Sequence, residues 1–286
     1  MSSPPVDLDH WRALATELFD DAALFPPGSA PMPDAVRAHQ VITRTSYVDL
    51  VGPFLCPTSR VPQLLESLGS SADPMPVVLL ADGGVLGVEQ AQHLLTDDER
   101  VRVLGLEIAL PRDGDPTVFT RHVLEALNFS FPTAVEIPRV PGWQGALDVL
   151  AQDGAERAKF RTGGPTEADI PSPAELASQI AAAVERRVPF KLTAGLHRAL
   201  PHADAATGLA QHGFLNALAA TAIACEGAGE EDLAAVLAAT DAGVVLEPLR
   251  RCRPATVRAA FTSFGTCSLQ EPIGDLVSLG LLEDAQ

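Results

Sequence analysis

Lysine is almost absent from the sequence. Of 20 basic residues, only Lys159 and Lys191 are lysine, which leaves 18 arginines. Aromatic residues are also scarce at 5%, and the four cysteines include no C-x-x-C pair. Cysteines in this arrangement favour reduced thiols over a disulfide framework.

Basic clusters and long apolar runs are missing as well. The 37 acidic side chains give a formal charge of −17, which excludes nucleic acid and anionic membrane surfaces as natural partners. The longest apolar run, residues 213–225, is shorter than the roughly 20 residues that cross a bilayer. No basic region followed by an apolar core opens the chain, so we expect a cytoplasmic protein without a secretory signal.

What the sequence does contain is enough apolar material for a large core. Hydrophobic residues make up 47% of the 286 positions, and no Gly/Ser linker or low-complexity run divides the chain. A barrel of alternating strands and helices reaches about 250 residues as one unit. We therefore expect a single large domain.

Short apolar runs alternate with amphipathic helical patterns from residue 49 to residue 286. Eight such strands favour an α/β fold of the (β/α)8 TIM-barrel type, with an open doubly wound sheet as the alternative. Residues 1–48 are predicted to be an N-terminal helical extension packed on the barrel. In either fold the site is expected at the carboxyl ends of the strands. The predicted strands are Val51–Cys56, Val77–Asp82, Val101–Leu110, Ala134–Ile137, Ala158–Thr162, Pro189–Gly195, Gly213–Asn216 and Ser263–Ser268.

Charged residues alternate with apolar ones inside four of these strands. Side chains alternate along a strand, so apolar Ala158 and Phe160 suit the helix layer and direct Lys159 and Arg161 into the barrel. The same division directs further residues inward, namely Lys191, Thr193, Glu107 and Glu136. The interior is thus predicted to hold two acids, two lysines and an arginine.

Burying charges costs several kcal/mol per ion unless they are paired. One interpretation is a purely structural core in which Glu107 and Glu136 neutralise the lysines. Against it, every other basic position is arginine, and only lysine can lose its proton and attack a carbonyl. Repulsion between Lys159 and Lys191 would move one amine towards its neutral, nucleophilic form, and the glutamates would oppose this.

The two lysine strands resemble those of deoxyribose-phosphate aldolase, a class I aldolase barrel. Lys159 opens a K-x-x-T-G segment and Lys191 opens a K-x-x-small-G segment. The resemblance implies that Lys159 forms a Schiff base, that Lys191 lowers its pKa, and that Glu107 or Glu136 relays protons. It covers about forty residues, and the aldolases carry these lysines on strands six and seven, whereas our count makes them strands five and six.

Over nearly its full length the chain resembles an uncharacterised bacterial (β/α)-barrel family, to which no activity is attached. The motifs that carry this resemblance are Leu24–Pro27, Arg161–Gly164, Thr193–His197, His212–Asn216 and Phe264–Ser268.

Further polar residues follow the later strands. His197, His212 and Asn216 are candidates for substrate binding at the barrel mouth, together with Arg161, Thr162 and Thr193. Gly163 and Gly164 either hold an anion with their backbone amides or form a tight turn. An alternative divalent-metal site would use the ligands Glu107, Glu136, His197 and His212.

These features lead to one leading hypothesis and two alternatives. The leading hypothesis is a lyase resembling class I aldolases, or a related lysine acid–base enzyme, that acts on a small carbonyl compound without a cofactor. Its catalytic residues would be Lys159, Lys191, Glu107 and Glu136. The alternatives are a metal-dependent isomerase or lyase and a non-catalytic barrel that binds a small anion or a partner. An acidic barrel with a helical extension is also compatible with a homodimer.

Overall fold

Eight parallel strands close into a barrel, which confirms the (β/α)8 fold over the open sheet. The computed structural model describes residues 7–69, 73–126, 131–154 and 156–284. The chain closes on itself because the first barrel strand pairs with both the last and the second. The barrel strands are β1 (Phe19–Asp21), β2 (Val51–Pro57), β3 (Met75–Leu80), β4 (Val101–Ala109), β5 (Thr133–Glu136), β6 (Arg157–Arg161), β7 (Phe190–Thr193) and β10 (Phe261–Thr266).

Helices surround the barrel and fill the connections. The long connection between β7 and β10 contains a short antiparallel hairpin, β8 (His202–Ala203) and β9 (Ala210–Gln211), followed by four helices. The helices in the described ranges are α1 (Leu8–Ala15), α2 (Met32–Ile42), α3 (Val61–Ser67), α4 (Gly84–Leu95), α5 (Pro116–Ala126), α6 (Trp143–Asp153), α7 (Pro173–Glu185), α8 (Phe214–Cys225), α9 (Glu230–Ala238), α10 (Ala242–Arg251), α11 (Pro254–Ala260) and α12 (Gln270–Ser278).

The N-terminal segment is not only a helical extension, because it supplies the first barrel strand. Helix α1 ends at Ala15, and Glu17 takes a left-handed φ of 48°, which turns the chain into β1. Phe19 faces the helix layer and is fully buried, while Asp20 points into the barrel. Two aspartates among three residues are unusual in a strand, which is why the helical prediction for residues 1–48 is wrong at this point. The first six residues of that segment lie outside the described part.

The strand predicted at Gly213–Asn216 is wrong, since Phe214 begins helix α8. Residues 214–222 of this helix are all buried, because it packs against α7, α9, α10 and α11. A helix that is apolar on every side shows no amphipathic period and cannot be told from a buried strand by pattern alone. Exchanging this strand for β1 keeps the total at eight and makes the lysine strands the sixth and seventh of the barrel.

A row of phenylalanines packs the outer face of the strands that carry the polar interior. Phe190 stacks on Phe261 with ring centroids 5.2 Å apart, and Phe160 lies 5.9 Å from Phe190. Two of these phenylalanines are next in sequence to an inward lysine: Phe160 follows Lys159, and Phe190 precedes Lys191. The alternation predicted from sequence is therefore confirmed on β6 and β7, and the large apolar side chains hold the charged face inward.

Helix α7 begins with a capping box. The Glu175 amide donates to Ser172 Oγ at 3.2 Å, and the Ser172 amide donates to Glu175 Oε2 at 2.7 Å. All four cysteines are free thiols. No helix in the described ranges is long and apolar enough to cross a membrane.

Candidate functional site

Glu107 bridges the two lysines in the middle of the barrel. Lys159 and Lys191 are directly paired in register across β6 and β7, so their side chains leave the same level of the wall. Lys159 Nζ lies 2.6 Å from Glu107 Oε2, and Lys191 Nζ donates to the other oxygen, Oε1. The three side chains are at least 95% buried. The predicted juxtaposition of two lysines and an acid is thus present in the structure.

Ion pairs continue from this centre in both directions. Lys191 Nζ donates to Asp20 Oδ2 at 2.5 Å. On the other side, Glu136 Oε2 lies 3.0 Å from Lys159 Nζ, and Glu136 Oε1 accepts a hydrogen bond from Arg161 Nε at 2.8 Å. We call the row Asp20–Lys191–Glu107–Lys159–Glu136–Arg161 the barrel network. Its three acids balance its three bases.

The pKa values of the network carboxylates differ because their surroundings differ. Burial alone would raise the pKa of Glu107, but two adjacent ammonium groups outweigh it and hold the value at about 2. The pKa of Glu136 is likewise lowered, since Lys159 and Arg161 outweigh its burial. Asp20 differs because its burial dominates, and its pKa is raised despite Lys191 and the Ser263 hydroxyl.

Both lysines are ammonium groups at neutral pH in the resting protein. Burial lowers the pKa of Lys159, but the charges of Glu107 and Glu136 outweigh it and leave the value raised. The pKa of Lys191 is raised more strongly, because Asp20 and Glu107 again outweigh burial. The charge of Lys191 does lower the pKa of Lys159, as the repulsion argument requires. The glutamates, however, exceed that repulsion.

A cavity of about 280 Å³ lies at the carboxyl ends of β4, β5 and β6. Glu136 and Arg161 form part of its wall, so the outer end of the barrel network reaches it. Arg112, Arg139 and Asp169 line it too, which gives three guanidinium groups against two carboxylates. Arg139 is paired with Glu175 at 3.1 Å and Arg112 with Asp169 at 3.2 Å. Arg161 is paired with Glu136, so each of the three guanidinium groups has a carboxylate partner, and a small anion would compete with that partner.

The segments after β6 and β7 touch each other through glycines. A Cβ on Gly163 would lie 2.6 Å from Gly195 Cα, and Gly195 has a φ of 77°, so neither position accepts a side chain without a shift. Thr162 Oγ1 donates to the Thr193 carbonyl at 3.1 Å. A Cβ on Gly164 would lie 2.4 Å from Asp169 Cβ. These contacts favour the interpretation of Thr162–Gly164 as a tightly packed turn.

The predicted substrate-binding residues of the later loops are engaged elsewhere. Buried His212 donates from Nε2 to the Pro171 carbonyl at 2.7 Å, and burial lowers its pKa. Asn216 lies on α8 and donates to the carbonyls of Val236 and Ala239 at 2.7 and 2.8 Å, which caps the end of α9.

His197 has its own partners near the last strand. Its Nδ1 lies 3.1 Å from Glu271 Oε2 and 3.8 Å from Cys267 Sγ. Burial raises the pKa of the Cys267 thiol, so this group is not an activated nucleophile.

The alternative metal site is not assembled. Glu107 is enclosed by the two lysines, whereas His197 and His212 contact Glu271 and the Pro171 carbonyl. Within the ranges that the structure describes, no three His, Cys, Asp or Glu side chains are grouped to hold a metal ion. The four predicted ligands therefore do not meet.

Sequence reasoning missed Asp20 and Ser263, which complete the inner end of the network. Ser263 Oγ donates to Asp20 Oδ2 at 2.7 Å, and Lys191 is paired in register with Ser263. Asp20 was hidden by the helical interpretation of its segment. The sequence of this segment carries no clear signal of a strand, because β1 is only the three residues Phe19–Asp21 and two of them are aspartates.

Comparison with protein-family models and with curated proteins found no match to this chain. The fold and the site define a (β/α)8 barrel with a lysine-centred ion-pair network in its interior. A fold alone does not determine a function, which depends on the residues of the site.

Proposed function

We propose that the protein is a lyase of the class I aldolase type, in which Lys159 forms a Schiff base with a small carbonyl compound. The observation that carries the proposal is the register pairing of Lys159 with Lys191 around Glu107. These are the chain's only lysines, and arginine would serve equally well in a purely structural ion pair. Their position on the sixth and seventh strands also agrees with the aldolase resemblance.

The two lysines have different roles in this proposal. Lys191 is held by Asp20 and Glu107 and remains an ammonium group, whose charge lowers the pKa of Lys159. Lys159 is the nucleophile, and two carboxylates stand beside it to accept its proton: Glu107 at 2.6 Å and Glu136 at 3.0 Å. The neutral amine then adds to the carbonyl carbon.

Schiff-base formation needs no outside reagent. The ammonium group supplies three protons: two leave with the carbonyl oxygen as water, and one stays on the iminium nitrogen. In a substrate with a hydroxyl group on its β-carbon, the iminium then withdraws electrons from the bond between the α- and β-carbons. A carboxylate removes the proton of that hydroxyl group at the same time. The C–C bond breaks to release an aldehyde and leave an enamine, which is protonated and hydrolysed to free Lys159.

The carboxyl-end cavity supports a small anionic substrate. Its volume of about 280 Å³ lies at the lower end of ligand-pocket sizes. Arg161, with 38% of its side chain exposed, is the most accessible member of the network. An anion that draws Arg161 away would leave Glu136 with one cation instead of two. Glu136 would become more basic, and proton transfer from Lys159 would become easier.

A second candidate is proton transfer without a covalent adduct. The raised pKa of Lys159 favours it, because a permanent ammonium group can stabilise an enolate. Glu136, 3.0 Å from that ammonium group, would remove the α-proton. In this case Lys159 is an electrostatic group and carries no adduct.

Borohydride reduction separates the two candidates. The protein is incubated with acetaldehyde, dihydroxyacetone or pyruvate, reduced, and weighed by intact mass spectrometry. The lyase proposal predicts one adduct per chain, lost in Lys159→Met and slower in Lys191→Met, with near-ultraviolet circular dichroism to verify that each variant is folded. Exchange of the α-proton in D2O without an adduct would support the second candidate. If neither an adduct nor exchange is observed, the remaining hypothesis is a barrel that only binds a small anion.

A further inference from the structure

A second and larger cavity lies at the opposite end of the barrel. It encloses about 670 Å³ near the amino-terminal ends of the strands. It exists because three inward positions there carry small residues: Gly105 on β4, Ala134 on β5 and Ser263 on β10. Barrel interiors are usually filled by bulky branched side chains at these levels.

The inner end of this cavity is the far end of the barrel network. Asp20, Lys191, Glu107 and Ser263 all line it, and their charges are already balanced by one another and by Lys159. The network therefore contributes a polar floor without net charge.

Two arginines in the wall are not balanced in this way. Arg258 is mostly buried and donates to the carbonyls of Phe261 and Thr16 at 2.6 and 2.9 Å and also to that of Thr262. Burial lowers its pKa to about 10, although the charges of Asp20 and Glu17 oppose this shift. Arg157, close enough to lower that pKa further, also lines the cavity. Neither arginine has a carboxylate ion pair among residues 7–69, 73–126, 131–154 and 156–284. Glu17 is the one wall carboxylate in those ranges outside the network.

We propose that this amino-terminal cavity binds a small organic anion with an apolar body, its charged group against Arg157 and Arg258. Outside the neutral network, the wall has two cations and one anion, although the whole chain carries −17. Arg258 is mostly buried and has no direct ion pair, which is costly for a cation, and a bound carboxylate or phosphate would lower that cost. Val78 and Leu104 offer apolar surface to the body of the ligand.

The proposal does not depend on the lyase activity, because it concerns a site at the other end of the barrel. The cavity nevertheless borders Lys191, which shares Glu107 with Lys159.

Binding is measured by isothermal titration calorimetry with three probes of equal chain length: hexanoate, hexyl phosphate and hexan-1-ol. Comparing the two anions identifies the preferred headgroup, and the alcohol measures the apolar contribution alone. Arg157→Gln removes an exposed cation, and Ala134→Leu narrows the cavity without a change of charge. Arg37→Gln is the matched control, because its side chain is 71% exposed and lines neither cavity.

We expect at least one anion to bind about ten-fold more tightly than hexan-1-ol, and Arg157→Gln to weaken its binding about ten-fold. Ala134→Leu should weaken anion binding, and Arg37→Gln should leave it unchanged. Equal affinity for the alcohol, no binding of either anion, or undiminished binding by Ala134→Leu would overturn the proposal. So would a loss in Arg37→Gln as large as that in Arg157→Gln. Circular dichroism verifies that each variant is folded.

Discussion

Lys159 and Lys191 stand side by side on adjacent strands and are held together by one carboxylate, Glu107, with an oxygen for each. Two buried ammonium groups at the same level of a barrel would repel each other strongly without it. Asp20 and Glu136 extend the arrangement at either end, so that opposite charges alternate along the network. This alternation is what allows the interior to hold six charged side chains.

Replacing Glu107 by glutamine should destabilise the protein by about 3–5 kcal/mol, because it leaves buried ammonium groups without their shared anion. The free energy of unfolding from a guanidinium chloride titration tests this. Asp148→Asn is the control: its ion pair with Arg186 has a similar length of 2.7 Å but lies near the surface, so its loss should cost less than about 1 kcal/mol. Equal costs for the two variants would contradict a central role of Glu107.

Stability should fall at both ends of the pH scale. The pKa of Glu107 is about 2 in the folded protein against an ordinary 4.5, so its contribution is full above pH 4.5 and is lost as the pH falls towards 2. Lys159 and Lys191 have pKa values raised above 10.5, so their contribution is full below pH 10.5 and is lost as the pH rises through the folded values. Asp20, with a raised pKa, acts against Glu107 on the acid side.

The measurement is the free energy of unfolding of the wild type and Glu107→Gln between pH 2 and pH 12. In the variant, the free energy of unfolding should fall less steeply between pH 4.5 and pH 2, because the contribution of Glu107 is absent. An acid limb as steep in the variant as in the wild type would refute the assignment to Glu107.

Gly163→Ala should lower stability by several kcal/mol, because the new Cβ would lie 2.6 Å from Gly195 Cα, where only backbone can give way. Gly274→Ala is the matched control, since its Cβ would meet nothing within 4 Å and alanine is favoured by about 1 kcal/mol inside a helix. Thermal unfolding of both variants tests the pair. A fully stable Gly163→Ala variant would show that the contact between the two turns is looser than the structure has it.

Asn216→Ala should destabilise the fold by about 1–3 kcal/mol, because it removes the side-chain donor from the carbonyls of Val236 and Ala239. Its effect on adduct formation at Lys159 should be negligible once the variant is folded, since the amide serves α9. Borohydride trapping at a temperature well below its melting point measures this. Loss of trapping without loss of stability would return Asn216 to the substrate site.

The barrel and its charged interior could be predicted because alternation on β6 and β7 is plain in the sequence. Phe160 and Phe190 each adjoin a lysine, and a period of two then fixes which side chain points inward. The same argument predicted that Glu107 and Glu136 point into the barrel. Those predictions needed no knowledge of how the strands pair.

Asp20 and the two arginines of the amino-terminal cavity could not be predicted in this way. Strand β1 has three residues, too few for a period, and its two aspartates argue against a strand. Arg157 and Arg258 come from β6 and α11, and they meet only when the barrel closes. His197 was placed in the site because it follows the predicted strand Pro189–Gly195, and Asn216 because it ends the predicted strand Gly213–Asn216. Partners in the surrounding helices hold both side chains.

The most direct test of the lyase proposal is to locate the reduced adduct. Wild-type protein is treated with pyruvate or dihydroxyacetone and borohydride between pH 6 and pH 9, digested, and mapped by peptide mass spectrometry. The proposal predicts modification of Lys159, at a rate that rises with pH because its ammonium group must lose a proton before it attacks. Modification of Lys191 alone, or no lysine adduct at any pH in folded protein, would contradict it.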